Sequence, residues 1–329
     1  MSRKGSAGQS GLVLLAKRPG LTSFSSLYAV KHALHTNKVG HTGTLDSFAC
    51  GLLVVCTGSL TRLASRITAL DKSYVAHIVF GSETDTLDPN GMVIRNAPLP
   101  VKEDFLRSLT RFTGEIQQRP PAFSALHVDG RRASDLVRAG KNVELPARPV
   151  TVFNSTVVSL TQDDDGRIVA AQVAFDVSKG TYIRSLARDI AADCGSAAHL
   201  IGLKRTRIGC FRLEDAAGYD LMDGEPDDTY EQKLREEILS HIQPMTPVFA
   251  QTCGLVPAVL KRGVERDFYT GRPLRNGLFE SSPVMVDDGG ENRPLAVFTA
   301  DGVFAGVAEA AGGKLRYGFV VPPESEIER

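Results

Sequence analysis

Gly40-His41-Thr42-Gly43-Thr44-Leu45-Asp46-Ser47-Phe48-Ala49-Cys50-Gly51 leads directly into the apolar run Leu52-Leu53-Val54-Val55. A single carboxylate, Asp46, stands among small, turn-prone and apolar residues at the edge of a core strand. Taken alone, an aspartate in a turn is a cap or an Asx-turn residue. Three features of the stretch set a second reading beside that one. Gly40 and Gly43 give flexibility on either side of an imidazole, His41. The apolar flanks would strip part of the water from the carboxylate. No cation lies close in sequence, so a partner must come from a distant part of the fold.

Upstream, Leu12 to Ala16 reads as a first strand. It is too short for a signal-peptide core and runs into Lys17-Arg18. Thr22 and Ser23 are candidate caps for a helix over Ser25 to His35, where Leu27, Val30 and Leu34 share a face. Leu60, Leu63, Ala64, Ile67 and Leu70 predict a second helix after Gly58-Ser59. Asp71 to Gly81 is apolar on both sides, the pattern of a central strand. A turn-rich loop fills Gly81 to Gly91, and Phe123 to Val128 reads as a short strand entering Asp129-Gly130. Arg131 to Gly140 predicts a short basic helix. Val169 to Ser178 alternates with a period of two, and past Lys179-Gly180 the period turns helical at Ile183, Leu186, Ala187 and Ile190. Near the C-terminus, Leu295 to Ala300, Val303 to Ala308 and Leu315 to Val321 are short strands joined by glycine turns.

The chain has 329 residues, enough for one large domain and a small one, and a formal net charge of zero. The charge is unevenly spread. Nine Lys and Arg lie between Met1 and Val75 against only Asp46 and Asp71. Seven lie between Lys179 and Arg212 against Asp189 and Asp193, whereas Leu213 to Met245 holds ten acids against Lys233 and Arg235. Such asymmetry permits a basic face for nucleic acid; chance clustering on a solvated surface is the plainer account. No apolar run is long enough to span a membrane. Five cysteines without a Cys-x-x-Cys pair suggest neither a disulfide framework nor a zinc site, which fits a reducing cytoplasm.

Arg184, at the start of the helix that follows Lys179-Gly180-Thr181-Tyr182-Ile183, is a candidate partner for Asp46. A guanidinium beside a buried carboxylate is expected to lower its pKa by about 1–3 units. A solvated helix residue is the alternative for Arg184. Other constellations fail. Asp85-x-x-Asp88-x-Asn90-Gly91 has the wrong spacing for a calcium loop and lacks its terminal glutamate. His32 and His35 lack the acid and third ligand of a zinc helix and read as exposed helix residues. A glycoside-hydrolase chemistry would need a second carboxylate paired with Asp46, and Asp71, Asp85 and Asp88 all sit in turns.

Read in order, these segments resemble the TruB family of pseudouridine synthases. Lys17 to Phe24 is similar to the family's opening motif and Gly40 to Asp46 to its catalytic motif. Asp71-Lys72-Ser73-Tyr74 is similar to its tyrosine motif, and Thr84 to Asp88 with Gly91 to the loop that follows. Arg119 to Leu126 precedes an RNA-gripping insertion over about 123–148. Lys179 to Arg184 supplies the family's arginine, and Ala198-His199-Leu200 with Leu203 to Thr206 closes the domain. The opening proline falls one place later than usual, and Phe123 and Ser134 stand where the family commonly has tyrosines.

The resemblance implies an α+β pseudouridine-synthase fold with a mixed, largely antiparallel central sheet flanked by helices and loops. It implies a catalytic domain over 1–213, an acidic connector over 214–250 and a small β-rich PUA-like domain over 251–329. Asp46 would be the nucleophile, Arg184 its positioning cation and Tyr74 the ring against the flipped base. His41 would fill the gap left in the loop, Leu203 would wall the base, and Lys179, Arg131, Arg132, Arg148 and Arg205 would contact RNA. The substrate would be uridine 55 in the T-loop of transfer RNA, with no cofactor, no metal and no membrane, and the protein a cytoplasmic monomer. An RNA-binding or RNA-folding module, and a guide-RNA-dependent relative of the same fold, are the competing readings.

Overall fold

Leu12–Lys17 (β1) and Cys50–Thr57 (β2) pair antiparallel and are buried at almost every position. The reason is that both of their faces are covered. On one side Val13, Leu15, Leu53 and Val55 pack with Leu27 and Val30 of helix Ser23–Ala33 (α1). On the other, Leu12, Leu14, Leu52 and Val54 share a core with Phe298, Phe304 and Phe319 from the C-terminal strands. The computed structural model describes residues 10–128, 130–282, 293–311, 314–321 and 323. No helix among these is long and apolar enough to cross a membrane.

The central sheet continues through Lys72–Phe80 (β3), Gly114–Gln118 (β4), Arg148–Gln162 (β5), Ile168–Val177 (β6) and Ala198–Ile208 (β7), in the order β1-β2-β7-β3-β6-β5-β4. Val39–His41 and Phe211–Arg212 extend it beside β2 and β7. The strand β3 is central, as its apolar pattern predicts, with β7 and β6 on its two sides. Every pairing along this path is antiparallel except β2 with β7. Tyr74, Ala76, Ile78 and Phe80 of β3 point to one face. There they meet Phe105 and Leu109 of Lys102–Arg111 (α2) and Ile183, Leu186 and Ile190 of Ile183–Asp193 (α3).

Local expectations shift in four places. The helix α1 starts two residues earlier than its periodicity suggests, because the Thr22 hydroxyl accepts the Ser25 N–H at 3.0 Å. His35 lies beyond it in the left-handed region, φ 48°. The expected second helix splits into a tight turn over Gly58–Leu63 and a short helix over Ala64–Thr68, with Leu60, Leu63 and Ile67 buried as predicted. The strand expected over Phe123 to Val128 shrinks to His127–Val128, paired with Arg131–Arg132, and the helix then runs over Ala133–Arg138; Asp129 of the turn lies outside the described residues. The acidic stretch does not run free. Its helix Tyr230–His241 (α4) buries Leu234 and Ile238 beside α1, while Ala217 and Gln243 hydrogen-bond to the edge of β1.

Near the C-terminus, Val256–Val259 (β8), Leu295–Phe298 (β9), Phe304–Ala311 (β10) and Lys314–Val320 (β11) form a separate sheet in that order. The strand β8, parallel to β9, had no clear sequence signal. The turn glycines expected at Gly312-Gly313 lie outside the described residues.

The β2–β7 junction pairs only Lys204 with Cys50 and Arg205 with Gly51. Gly51 sits at φ 107°, and a Cβ there would lie 2.3 Å from the Arg205 carbonyl oxygen. Both facts exclude any other residue. Gly51→Ala is expected to destabilise the protein by about 3 kcal/mol or more, combining backbone strain with overpacking. Gly166→Ala, at φ 76° with open space around it, should lose only about 1–2 kcal/mol, and urea titration of both variants checks the difference.

Candidate active site

The loop from Thr42 to Ala49 leaves the sheet where β2 meets β7. Its backbone is held from several sides. The Ser23 hydroxyl donates to Leu45 O at 3.1 Å and accepts Leu45 N–H at 2.8 Å, and Gly20 N–H donates to Ser47 O. The buried Lys17 ammonium donates to Ala49 O at 2.6 Å and Arg18 O at 2.9 Å, with Ser47 O at 3.4 Å. Burial pulls the Lys17 pKa down to about 8, resisted by Cys50 and Asp46.

Asp46 emerges from this loop facing Arg184. Arg184 Nε lies 2.9 Å from Asp46 Oδ2 and Nη2 lies 3.2 Å from Oδ1, a two-point contact between residues 138 positions apart. The guanidinium is 5% exposed and the carboxylate 37%. The cation is therefore embedded while the anion is the more open partner. Arg184 is fixed further by donating to Thr86 O at 2.7 Å and Phe123 O at 3.0 Å, and Asp88 Oδ2 lies 3.7 Å from Nη1. These bonds join the Asp46 loop, the 84–91 loop and the segment at Phe123 at one side chain.

The expected lowering of the Asp46 pKa is overturned. Desolvation is the largest influence and raises it, Asp88 adds repulsion, and the attraction of Arg184 and Lys17 does not cancel them. The 84–91 loop owes its aspartates to internal bonding. Asp88 Oδ1 accepts the Thr86 hydroxyl at 2.7 Å and Asn90 N–H at 2.9 Å, and Asp85 Oδ1 accepts Met92 N–H at 3.0 Å. No metal-holding cluster occurs among the described residues.

Tyr74 and Leu203 are both buried beside Leu45 and Ala49, on the face of the sheet that carries Asp46. His41 lies at the end of the short strand beside β2. Its Nδ1 is buried without a hydrogen-bond partner, and burial with the nearby Arg205 lowers its pKa. Lys179, Arg131, Arg132 and Arg148 are exposed, consistent in placement with contacts to a large polyanion.

Arg205 is a correction. Its side chain is buried, with Nε donating to Leu52 O at 2.8 Å and Nη2 to Gly43 O at 3.0 Å. It lies under the loop that carries Asp46 and braces that backbone from inside the fold instead of presenting its charge at the surface. Tyr182 is a residue that sequence reasoning quoted without a role. Its backbone is clamped by the buried Gln118, which accepts its N–H at 2.8 Å and donates to its carbonyl at 3.2 Å. Burial raises the pKa of its hydroxyl, with Arg184, Asp46 and Arg148 all close enough to act on it. Its position two residues before Arg184 was the available signal.

The sequence profile of the TruB family pseudouridylate synthase N-terminal domain matches residues 31–183. The tRNA pseudouridine synthase B of Treponema denticola is 39% identical over 329 residues, covering 88% of this chain and 92% of that protein. The chain belongs to the TruB family. The corresponding Borreliella burgdorferi protein is 46% identical over 63% of this chain and 73% of its own. A solved Cbf5-Nop10-Gar1 complex contains a chain with TM-score 0.64 and 24% identity, covering 96% of this chain and 86% of that one, which shows the shared fold.

The raised Asp46 pKa has a sign that can be checked. A carboxyl whose pKa is higher folded than unfolded favours folding at low pH, and that contribution is lost as pH rises through the folded value. Asp46→Asn should therefore melt no lower than the parent protein at neutral pH. Any step needing ionised Asp46 should fail on acidification above the ordinary carboxylate range, and Asp88→Asn should move that limb to lower pH. Both follow from thermal melts and a pH–rate profile.

Proposed function

We propose that the protein isomerises uridine 55 in the T-loop of transfer RNA to pseudouridine, acting as a monomer in the cytoplasm. The observation that carries this reading is the Asp46–Arg184 pair: a partly exposed carboxylate held by a buried guanidinium at 2.9 and 3.2 Å. Family membership supplies the substrate class.

The reaction breaks the bond from ribose C1′ to uracil N1 and joins C1′ to C5. The proton lost from C5 is balanced by one gained at N1. Atoms and electrons are conserved, so neither an oxidant nor a hydrolytic water enters the equation. The target base must first leave its stack, at a cost of a few kcal/mol. Asp46 attacks as the nucleophile. Arg184 holds its two oxygens in one plane and keeps it anionic against desolvation. Tyr74 and Leu203 wall the everted base, and the Tyr74 hydroxyl is available for proton transfer. His41, with one ring nitrogen unpaired, fills the space the base vacates. Lys179, Arg131, Arg132 and Arg148 track phosphates, so binding weakens as salt rises. The insertion over 123–148 orders on RNA. Residues 1–213 act as the catalytic domain and 251–329 as a PUA-like RNA-binding unit, joined by the 214–250 segment.

Purified protein incubated with unmodified transfer RNA should form pseudouridine at one T-loop position without any guide RNA. Asp46→Asn should reduce the single-turnover rate at least about a hundredfold, the range typical of a lost catalytic group, while leaving RNA affinity within a few-fold. Modification at the parental rate by that variant, or release of free uracil, would sink the assignment.

A further inference from the structure

The outer face of α1 has no role in the chemistry above, yet it is built unlike an ordinary solvated helix face. Leu21 is 43%, Phe24 72% and Tyr28 61% exposed. With His32 and His35 they form a stripe at intervals of three or four residues along the axis. Each large ring already has a neighbour. Tyr28 and His32 lie 3.9 Å apart between centroids, and the Lys31 ammonium sits 5.2 Å from the Phe24 ring. Lys31, His32, His35 and Lys38 follow with no acid anywhere in α1. Two large rings held in water, each beside a cation or an imidazole, suit a flat π-faced anion.

The start of α1 is tied to the loop that carries Asp46. Ser23, the first residue of α1, bonds both the N–H and the carbonyl of Leu45, next to Asp46, and Phe24 follows it. A groove of about 1300 Å³ opens between α1 and α4 along the same stripe. Its far wall carries Asp228, Glu231 and Glu236 together with Arg235, whose Nη2 lies 3.4 Å from His35 Nε2, while Arg18 is already engaged over Tyr230 at 5.0 Å. The three acids would turn an anionic strand toward the α1 side, where Arg235 adds its charge to Lys31 and the two histidines.

We propose that this face of α1 is a second RNA-binding surface, taking unpaired nucleotides of the same transfer RNA that lie outside the loop entering the cleft. The proposal rests on the substrate class argued above. Bases stack on Phe24 and Tyr28, and Lys31 and His32 meet the backbone. A second copy of the chain is the competing occupant.

The test compares affinity for full-length unmodified transfer RNA with affinity for its isolated T-stem-loop hairpin. The Phe24→Ala/Tyr28→Ala double variant should bind full-length RNA roughly tenfold or more weakly, the scale of lost base–aromatic stacks. Its affinity for the hairpin, and its pseudouridine yield on saturating hairpin, should match the parent. Lys31→Ala should lower the salt slope for full-length RNA by about one. Phe24→Gln/Tyr28→Gln keeps the face polar and serves if the alanine variant melts early. Unchanged affinity for full-length RNA would overturn the proposal. So would equal losses on both RNAs, or a parental dimer that the variant dissolves in sedimentation. Failure of the parent to modify any RNA would instead refute the proposed function.

Discussion

The structure turns on a partly desolvated carboxylate paired with an embedded guanidinium. Burial drives Asp46 toward its protonated form, and Asp88 pushes the same way. Arg184 opposes both from a distance of 138 residues, with its own charge already embedded and satisfied by two backbone carbonyls. The asymmetry decides the role of each partner. A buried guanidinium needs no rearrangement when a ligand arrives, while the more open carboxylate presents an edge to whatever enters. The result is an anion poised at elevated basicity rather than the strongly acidic pair that a simple ion-pair argument gives.

Two further cations act through the backbone. Lys17 and Arg205 are both buried, and each donates to carbonyl oxygens on the loop around Asp46 or on the strand that follows it. Neutral acceptors suffice because the positive charge also suits the neighbouring carboxylate. Reading Arg205 as an RNA contact followed naturally from its place in a basic segment. Charge in sequence says nothing of which side of a strand a residue takes, and alternation along β7 puts this one on the buried side with Leu203.

Much else was legible. The continuous runs Leu12 to Ala16 and Leu52 to Val55 announced strands covered on both faces, and the change of period at Lys179-Gly180 marked where β6 gives way to α3. The pairing of Asp46 with Arg184 was expected from the sequence, and the fold brings the two side chains into contact. The acidic segment was harder. Its charge suggested a tether, but Leu234 and Ile238, at i and i+4 on α4, were enough to dock it against β1 and α1. The strand β8 was missed because Pro257 interrupts it and its partner comes from nearly forty positions later in the chain. Tyr182 was hidden by its neighbour, since the arginine two places on drew the reading.

The first two strands are the filling of a sandwich whose outer slice is the C-terminal sheet. Phe298, Phe304 and Phe319 press on the same layer as Leu12, Leu52 and Phe211. A chain joined in this way does not divide cleanly into an engine and a detachable handle. Stripping the terminal sheet would bare a greasy panel directly behind the strand that leads into Lys17 and the catalytic loop. Trimmed versions of the protein would then tend to clump, and the anchor beneath Asp46 would loosen with them.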